Sequence, residues 1–189
     1  MDFIKLVKKR QSDRAYINKE VDRVIIDRCI EAARLAPSAC NSQPWSFVVV
    51  DNQELKINVA KKLHDIIMKG NKFVISAPVL IVIVEEKPKI TSRLGGILKG
   101  KQYTFLDIGI AAEHFCLQAA QEGLGTCMLG WFDEKGVRKL LNIPSNRRIP
   151  LVITLGYPAT DLIRTKVRKP LEIIRFFNGY QECPDKPMQ

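Results

Sequence analysis

Histidine is scarce in this chain, and cysteine occurs without the spacing that metal or redox sites need. The 189 residues contain two histidines, His64 and His114. Since metal centres and general acid–base sites rely heavily on imidazole, a His-rich metal site is excluded and a histidine-based catalytic group is not expected. The five cysteines are odd in number and include no C-x-x-C pair. This pattern favours free thiols in a reducing compartment over zinc or a redox disulfide.

Long apolar runs are missing as well. The opening segment, MDFIKLVKKRQSDR, alternates charges with short apolar groups and is too polar for a signal peptide or a membrane span. No repeat or Gly/Ser/Pro-rich linker divides the chain, and its length and 46% hydrophobic content suit one compact domain. We therefore expect a cytoplasmic protein with a single domain over residues 1–189, of which 178–189 form a loose tail.

Common phosphate-binding and hydrolase motifs are incomplete. The run from Gly95 to Lys101 matches G-x-x-x-x-G-K, but Gln102 replaces the Ser or Thr that would hold magnesium in a P-loop. Gly123 and Gly125 follow a predicted helix where a dinucleotide fingerprint requires a strand, so Gly123 is better interpreted as a helix C-cap. A G-x-S-x-G nucleophile elbow is absent from the sequence.

Hydrophobic periodicity predicts alternating helices and strands, which places the chain in the α+β or α/β class. The run VLIVIV at 79–84 lacks polar alternation, which predicts a central strand covered on both faces. The segment 104–122 is helical in period but apolar around much of its circumference, which predicts burial on more than one side, in a core or a subunit interface. Further helices are predicted at 21–35, 55–70 and 133–141, and further strands at 45–50, 127–129 and 149–155.

The net charge of +10 is concentrated near the two ends of the chain. One cluster is Lys8-Lys9-Arg10 with Arg14, and the other is Arg164, Lys166, Arg168 and Lys169. Clustered cations attract any polyanion, so a nucleic-acid-binding surface, a merely solvated surface and a local anion site all fit the composition. The last requires the two ends to meet in space.

A polar loop between a predicted helix and a predicted strand is the strongest single signal. Residues 37–45 read PSACNSQPW, with prolines on both sides of a group of hydroxyl and amide side chains. The prolines stiffen the loop and lower the entropy lost when Ser38, Asn41 and Gln43 bind the edge of a polar heterocycle. In isolation, an ordinary capped connection is the favoured explanation of the loop. Its Cys40 is expected to be a small buried thiol.

Taken together, three motifs resemble the nitroreductase family across nearly the whole chain. They are the Arg10-Gln-Ser-Asp-Arg14 opening, the Asn-x-Gln-Pro-Trp loop, and Gly156-Tyr-Pro followed by Lys166-x-Arg168. The resemblance implies an α+β fold with a mixed sheet flanked by helices. It also implies a homodimer with FMN at the subunit interface and a C-terminal segment that embraces the partner.

The resemblance also implies which residues hold FMN. Arg10, Ser12, Lys166 and Arg168 would bind the dianionic phosphate through charge-assisted hydrogen bonds, and Arg14 would stabilise the reduced flavin near its pyrimidine ring. The loop would reach in from the other subunit, and the backbone at 128–130 would pass flavin N5. The complete implied set is Arg10, Gln11, Ser12, Arg14, Pro37, Ser38, Ala39, Asn41, Gln43, Asn71, Met128, Leu129, Gly130, Lys166 and Arg168. Of these, Asn71 rests on the loosest alignment.

The activity implied is hydride transfer from NAD(P)H through FMN to a nitroaromatic, a quinone or a similar small acceptor, in a ping-pong cycle. FMN carries such chemistry, so neither a catalytic side chain nor a metal is expected. Trp131 and Phe132 would line a substrate channel or pack in the core. Two alternatives remain: a flavin-binding sensor or carrier of the same fold, and a basic nucleic-acid-binding module, although no recognisable nucleic-acid motif accompanies the charge. Neither a nucleic-acid nor a membrane partner is expected.

Overall fold

The computed structural model describes residues 2–64, 71–87 and 102–181. The glycine run 95–100, the predicted helical residues 65–70 and the end of the tail at 182–189 lie outside these ranges. Within them the helices are α1 (Phe3–Lys9), α2 (Arg23–Arg34), α3 (Gln53–Leu63), α4 (Tyr103–Gln121), α5 (Glu134–Leu140) and α6 (Leu171–Ile174). The strands are β1 (Trp45–Val50), β2 (Val79–Glu85), β3 (Gly125–Leu129) and β4 (Leu151–Gly156), and short 3-10 turns cover Ala39–Asn41 and Lys72–Ser76.

The four strands form one sheet in the order β1-β2-β4-β3. Every neighbouring pair is antiparallel, with Val48 opposite Val82, Val82 opposite Val152, and Leu129 opposite Val152. The mixed sheet expected above is therefore antiparallel in its four described strands, because successive neighbours run in opposite directions. Among the described residues, parallel pairing occurs at one bridge, where Ser12 of the N-terminal segment lies beside Thr126 at the outer edge of β3.

Strand β2 is covered on both faces, as its unbroken apolar sequence predicts. Because successive side chains of a strand point to opposite faces, Val79, Ile81 and Ile83 join the core formed with α2 and α4. Leu80 and Val82 join a second core on the other face, formed with α3 and α5. The sheet thus lies between two helical layers, and the prediction of a central strand at 79–84 is confirmed.

Helix boundaries follow the expected capping chemistry. Asp22, Asn52 and Asp133 each accept a backbone N–H of the first turn that follows them, which satisfies donors a helix otherwise leaves unpaired. Gly123 ends α4 with a φ of 79°, in the left-handed region that glycine adopts without penalty. Helix α3 ends at Leu63 and not at residue 70, because His64 leaves the helical region with a ψ of 106°. Strand β4 begins after Pro150, which has no N–H to donate to a ladder.

Helix α4 is the longest described helix, and it buries only one face within the chain. Ala111, Ala112, Phe115 and Ala119 are fully buried against α2 and the sheet. On its other side, Leu106 is 61% exposed and Ile110 is 38% exposed. Burial on more than one side, as expected from the sequence, is therefore not reached within one chain. No described helix is both long enough and apolar enough to span a bilayer.

Candidate functional site

The two ends of the chain meet at the C-terminus of α1. The Lys166 ammonium donates to the carbonyl oxygen of Val7 at 3.1 Å and to those of Lys8 and Arg10. A helix leaves its last carbonyls unpaired and carries partial negative charge at that end, so an ammonium group stabilises it there. The two basic clusters noted in the sequence therefore lie side by side. Lys166 hydrogen-bonds the C-terminus of α1 and places its positive charge there.

Gln11 ties the same two segments together through both ends of its amide. Its Oε1 accepts the backbone N–H of Arg164 at 3.0 Å. Its Nε2 donates to the carbonyl of Leu162 and to the carboxylate of Asp13, each at 3.0 Å. The Arg164 guanidinium donates to the carbonyl of Ser12. Gln11 therefore holds the segment that contains Leu162 and Arg164 against the N-terminal segment.

Arg10, the first residue after α1, points its guanidinium at α4. Its Nε donates to Glu113 Oε1 at 3.1 Å, and its Nη2 donates to Glu113 Oε2. The side chains are 27% and 38% exposed respectively. Burial lowers the pKa of Arg10, but the hydrogen bond and charge of Glu113 outweigh burial and raise it. Arg10 is thus a fixed cation with one edge occupied by a carboxylate.

Several other cations lie near the Arg10–Glu113 pair. The pKa of Lys166 lies below its usual value, first because of desolvation and then because of the charges of Arg10, Arg168 and Arg164, which Glu113 offsets only in part. Arg168 is exposed, and its Nη1 donates to the carbonyl of its neighbour Val167 at 2.7 Å. Like charges gathered this closely repel one another. Such a cluster is stabilised by binding an anion.

The N-terminal segment continues from this cluster along the edge of β3. The backbone N–H of Asp13 donates to the carbonyl of Thr126 at 2.8 Å, and Ser12 lies opposite Thr126. A Cβ added to Gly125 would lie 2.6 Å from Asp13 Oδ2, so glycine permits this close approach. Ser12 also hydrogen-bonds the buried Cys127 thiol, whose pKa is raised chiefly by burial. Arg14 is exposed, and its charge reaches the same thiol.

Beyond Thr126, β3 leads to the predicted flavin N5 segment. Met128 is half-buried, Leu129 is 6% exposed and Gly130 is exposed at the strand end. The next two side chains diverge, because Trp131 is 67% exposed while Phe132 packs against the core that contains α3 and α5. Of the two roles considered, a substrate channel or core packing, Phe132 therefore has the packing role. Trp131 lies at the surface.

The polar loop after α2 is held by its own side chains. Ser38 Oγ accepts the backbone N–H of Gln43 at 2.9 Å, and Gln43 Nε2 donates to Asn41 Oδ1 at 2.8 Å. Cys40, Asn41 and Gln43 have φ values of 54°, 49° and 47°, in a region that non-glycine residues adopt at a cost. Pro37, Asn41 and Gln43 are exposed, whereas Ser38 and Ala39 are half-buried.

Cys40 is exposed, so the expectation of a buried thiol there is wrong. Its left-handed backbone, with a φ of 54°, lies in the middle of the loop's tight 3-10 turn. The side chain in this turn lies at the surface, whereas the expectation rested on the general tendency of cysteine to be buried.

Helix α4 binds the polar loop through Asp107, just as it binds Arg10 through Glu113. Asp107, 5% exposed, accepts the backbone N–H of Ala39 with both carboxylate oxygens, at 3.1 and 3.2 Å. Asp107 and Glu113 are six residues apart, or about 9 Å along a helix that rises 1.5 Å per residue. One rigid helix therefore positions both parts of the predicted site. Sequence reasoning missed both carboxylates, although an acid within a mostly apolar helix is a signal that could have indicated them.

Asn71 lies apart from these contacts. Its backbone is left-handed, with a φ of 65°, and its Nδ2 donates to the carbonyl of Leu63 at 3.3 Å. It therefore closes the C-terminus of α3 and starts the next 3-10 turn. Among the described ranges, no group of His, Cys, Asp and Glu side chains is arranged to hold a metal ion.

Comparison with known proteins places these features in one family. The model of the nitroreductase family matches residues 7–157. A putative NADH dehydrogenase/NAD(P)H nitroreductase of Methanothermobacter thermautotrophicus is 32% identical, over 85% of this chain and 80% of its own length. An FMN-dependent nitroreductase of Clostridium difficile has a solved structure that is 29% identical, with a TM-score of 0.74 and coverage of 94% and 100% of the two chains. Iodotyrosine deiodinase 1 of Sus scrofa is 28% identical, over 92% of this chain and 67% of its own length.

Proposed function

Because the chain belongs to the nitroreductase family, and so is an FMN-dependent oxidoreductase, we propose that it passes hydride from NAD(P)H to a nitroaromatic, a quinone or a similar acceptor. Bound FMN supplies the hydride chemistry, and donor and acceptor use the site in turn. The chain's own residues bind the cofactor, orient it and set the charge around it.

The observation that carries this proposal is the cationic cluster where the chain ends meet. The charges of Arg10, Arg164 and Arg168 act on Lys166 there, and Glu113 is the carboxylate paired with Arg10. A dianionic phosphate fits such a group, because guanidinium N–H groups form short, strong hydrogen bonds with phosphate oxygens. In this assignment Arg10, Ser12 and Arg168 contact the phosphate, and Lys166, bonded to the C-terminus of α1, adds positive charge nearby.

We assign the flavin ring to the surface between this cluster and the end of β3. The exposed Gly130 allows close backbone approach there, and Arg14 places a positive charge near the ring that favours its reduced, anionic form. The loop 37–43 exposes Asn41 and Gln43, whose amides match the polar edge of a flavin. In a homodimer this loop serves the cofactor bound to the partner.

A homodimer is supported by apolar surface that one chain leaves uncovered. On the C-terminal segment, Val167 is 76%, Phe177 is 78% and Tyr180 is 80% exposed. Leu106 and Ile110 of α4 are further exposed apolar side chains. Large exposed apolar patches mark protein contact sites, and the C-terminal segment is proposed to embrace the partner. Light scattering after size-exclusion chromatography measures the assembly directly, and a monomer at micromolar concentration would contradict it.

The cofactor assignment is tested by adding FMN to the purified protein, desalting it and recording its visible spectrum. Retained flavin bands are expected, and their absence would remove the basis of the proposal. Stopped-flow mixing with NADH and with NADPH then separates an enzyme from a flavin-binding sensor or carrier, since only the enzyme bleaches the flavin. Single-turnover mixing of the reduced protein with a nitroaromatic, a quinone or iodotyrosine ranks the acceptors. The last is included because of the deiodinase relative.

Two further parts of the proposal concern the surroundings of the protein. Three buried free thiols, Cys29, Cys116 and Cys127, suit a reducing cytoplasm. The basic charge is proposed to serve the cofactor phosphate and not nucleic acid. A filter-binding assay at physiological salt should therefore show no tight DNA or RNA binding by the FMN-loaded protein.

A further inference from the structure

Glu113 is held in place by a helix whose other face is packed in the core. It lies in the middle of α4, and its neighbours Ala112, Phe115 and Cys116 are at most 1% exposed. The helix backbone beneath it therefore cannot move without disturbing the core. Glu113 itself is only half-buried, so its carboxylate is a fixed group on an accessible surface.

The geometry of its contact with Arg10 leaves the guanidinium able to bind a second anion. A guanidinium has five N–H donors in a planar fork. Glu113 takes the side edge, with one bond from Nε and one from Nη2. The end edge, formed by Nη1 and the second Nη2 hydrogen, makes no hydrogen bond within the described residues. That edge suits bidentate contact with phosphate oxygens.

The backbone of Arg10 is fixed as well. Its carbonyl accepts from Lys166, and its N–H donates to the carbonyl of Leu6 at 2.9 Å. With the backbone held by these contacts and the guanidinium held by Glu113, the long side chain keeps little rotamer freedom to lose when a ligand binds.

We propose that Glu113 is a positioning residue that holds Arg10 ready for the FMN phosphate, an inference that rests on the function proposed above. Charge alone predicts the opposite effect of Glu113 on binding. A carboxylate beside an anion site repels the anion, so its removal would strengthen FMN binding. Positioning predicts that its removal weakens FMN binding, because Arg10 then has to be ordered by the ligand.

The two predictions are separated by comparing FMN with riboflavin, which has the same ring and ribityl chain but no phosphate. Dissociation constants come from quenching of flavin fluorescence with Glu113→Ala, Glu113→Gln and the wild type. Glu113→Ala should weaken FMN binding on the order of tenfold, the factor carried by one hydrogen bond to a charged group, and leave riboflavin binding unchanged. Glu113→Gln keeps one acceptor oxygen for Arg10 and should fall between.

Glu31→Ala is the matched control. Glu31 accepts the same side edge of Arg34, with distances of 2.6 and 2.7 Å, on the exposed surface of α2. Its loss changes net charge by the same amount, so unchanged FMN affinity in this variant assigns the Glu113 effect to Arg10. Equal weakening in both variants would overturn the inference.

A double-mutant cycle with Arg10→Ala completes the test. Once Arg10 is absent, removal of Glu113 should no longer weaken FMN binding, and a loss of the same size in that background would overturn the inference. Tighter or unchanged FMN binding by Glu113→Ala alone would also overturn it, as would an equal loss for riboflavin. If the wild type binds no FMN, the proposed function has failed. If the wild type binds FMN and Glu113→Ala binds it at least as tightly, only the inference about Glu113 has failed.

Discussion

The backbone N–H of Ala39 lies 3.1 and 3.2 Å from the two carboxylate oxygens of Asp107, a residue 68 positions further along the chain. Asp107→Ala should lower the free energy of unfolding by about 1–3 kcal/mol, because a partly buried N–H loses its acceptor. Asp107→Asn keeps one acceptor oxygen and should cost less. Urea unfolding measures both, and Asp27→Ala on the exposed side of α2 is the control. Equal stability of Asp107→Ala and wild type would show that the contact does not hold the loop.

Lys166→Met should release the C-terminal segment from α1. The substitution keeps the apolar stem and removes the three hydrogen bonds to the carbonyls of Val7, Lys8 and Arg10. Because the ammonium is partly solvated, the expected loss of stability is about 1 kcal/mol. Limited proteolysis should cut residues 160–170 faster in this variant than in Lys169→Met, the exposed neighbour. Identical cleavage rates would contradict the role assigned to Lys166.

Arg168→Ala should weaken FMN retention on the order of tenfold, since a guanidinium bond to phosphate is charge-assisted. Riboflavin affinity should not change. Arg168 is exposed and bonds only the carbonyl of Val167 among the described residues, so the fold should be unaffected, as circular dichroism can verify. An FMN affinity equal to that of the wild type would remove Arg168 from the phosphate site.

Asp13→Asn should stabilise the protein at neutral pH. Desolvation raises the pKa of Asp13, despite the hydrogen bond from Gln11 and the charge of Arg164. The folded state therefore holds this proton more tightly than the unfolded state, and wild-type stability falls as pH rises from the unfolded pKa through the raised folded one. The advantage of the variant should grow over that window, remain above it and vanish below pH 3.8. Thermal unfolding of the two proteins from pH 3 to 7 measures this difference.

Thiol chemistry should separate the described cysteines. Burial raises the pKa of Cys29 and of Cys116 to about 12, so at pH 8 a fraction of about one in ten thousand would be thiolate. Cys40 is exposed and should be alkylated by iodoacetamide long before either of them, with bound FMN slowing its reaction. Peptide mapping by mass spectrometry follows each site. Rapid labelling of Cys116 in the native protein would contradict the packing described for α4.

Periodicity predicted most of the fold because local patterns determine local structure. The unbroken apolar run of β2 and the long apolar helix α4 both exceed what a solvent-exposed element can carry, and both lie in the core. The ends of elements were less predictable. Helix α3 ends early because the backbone of His64 leaves the helical region. A histidine does not require that conformation, so the sequence did not indicate it.

The sequence pointed to the cations of the candidate site but not to its supporting acids. Arg10 and Lys166 stand out in the sequence because charges cluster around them, whereas Glu113 and Asp107 are single acids within a helix. Their partners lie 103 and 68 residues away, and such pairings follow from the packing of α4 and not from its sequence. The roles of Arg10 and Arg168 in holding the FMN phosphate are predictions that the variants above test.

The bonds from Lys166 to α1 also affect the order of events during synthesis on the ribosome. Residues 7–10 leave the ribosome early, yet the group that pairs with their carbonyls is made about 156 residues later. Since nascent domains fold as units while synthesis proceeds, α4 and the elements that precede it in the chain can form before this connection does. A polypeptide that ends before residue 166 would therefore leave the carbonyls of Val7, Lys8 and Arg10 without their ammonium partner, and its cationic cluster would stay open.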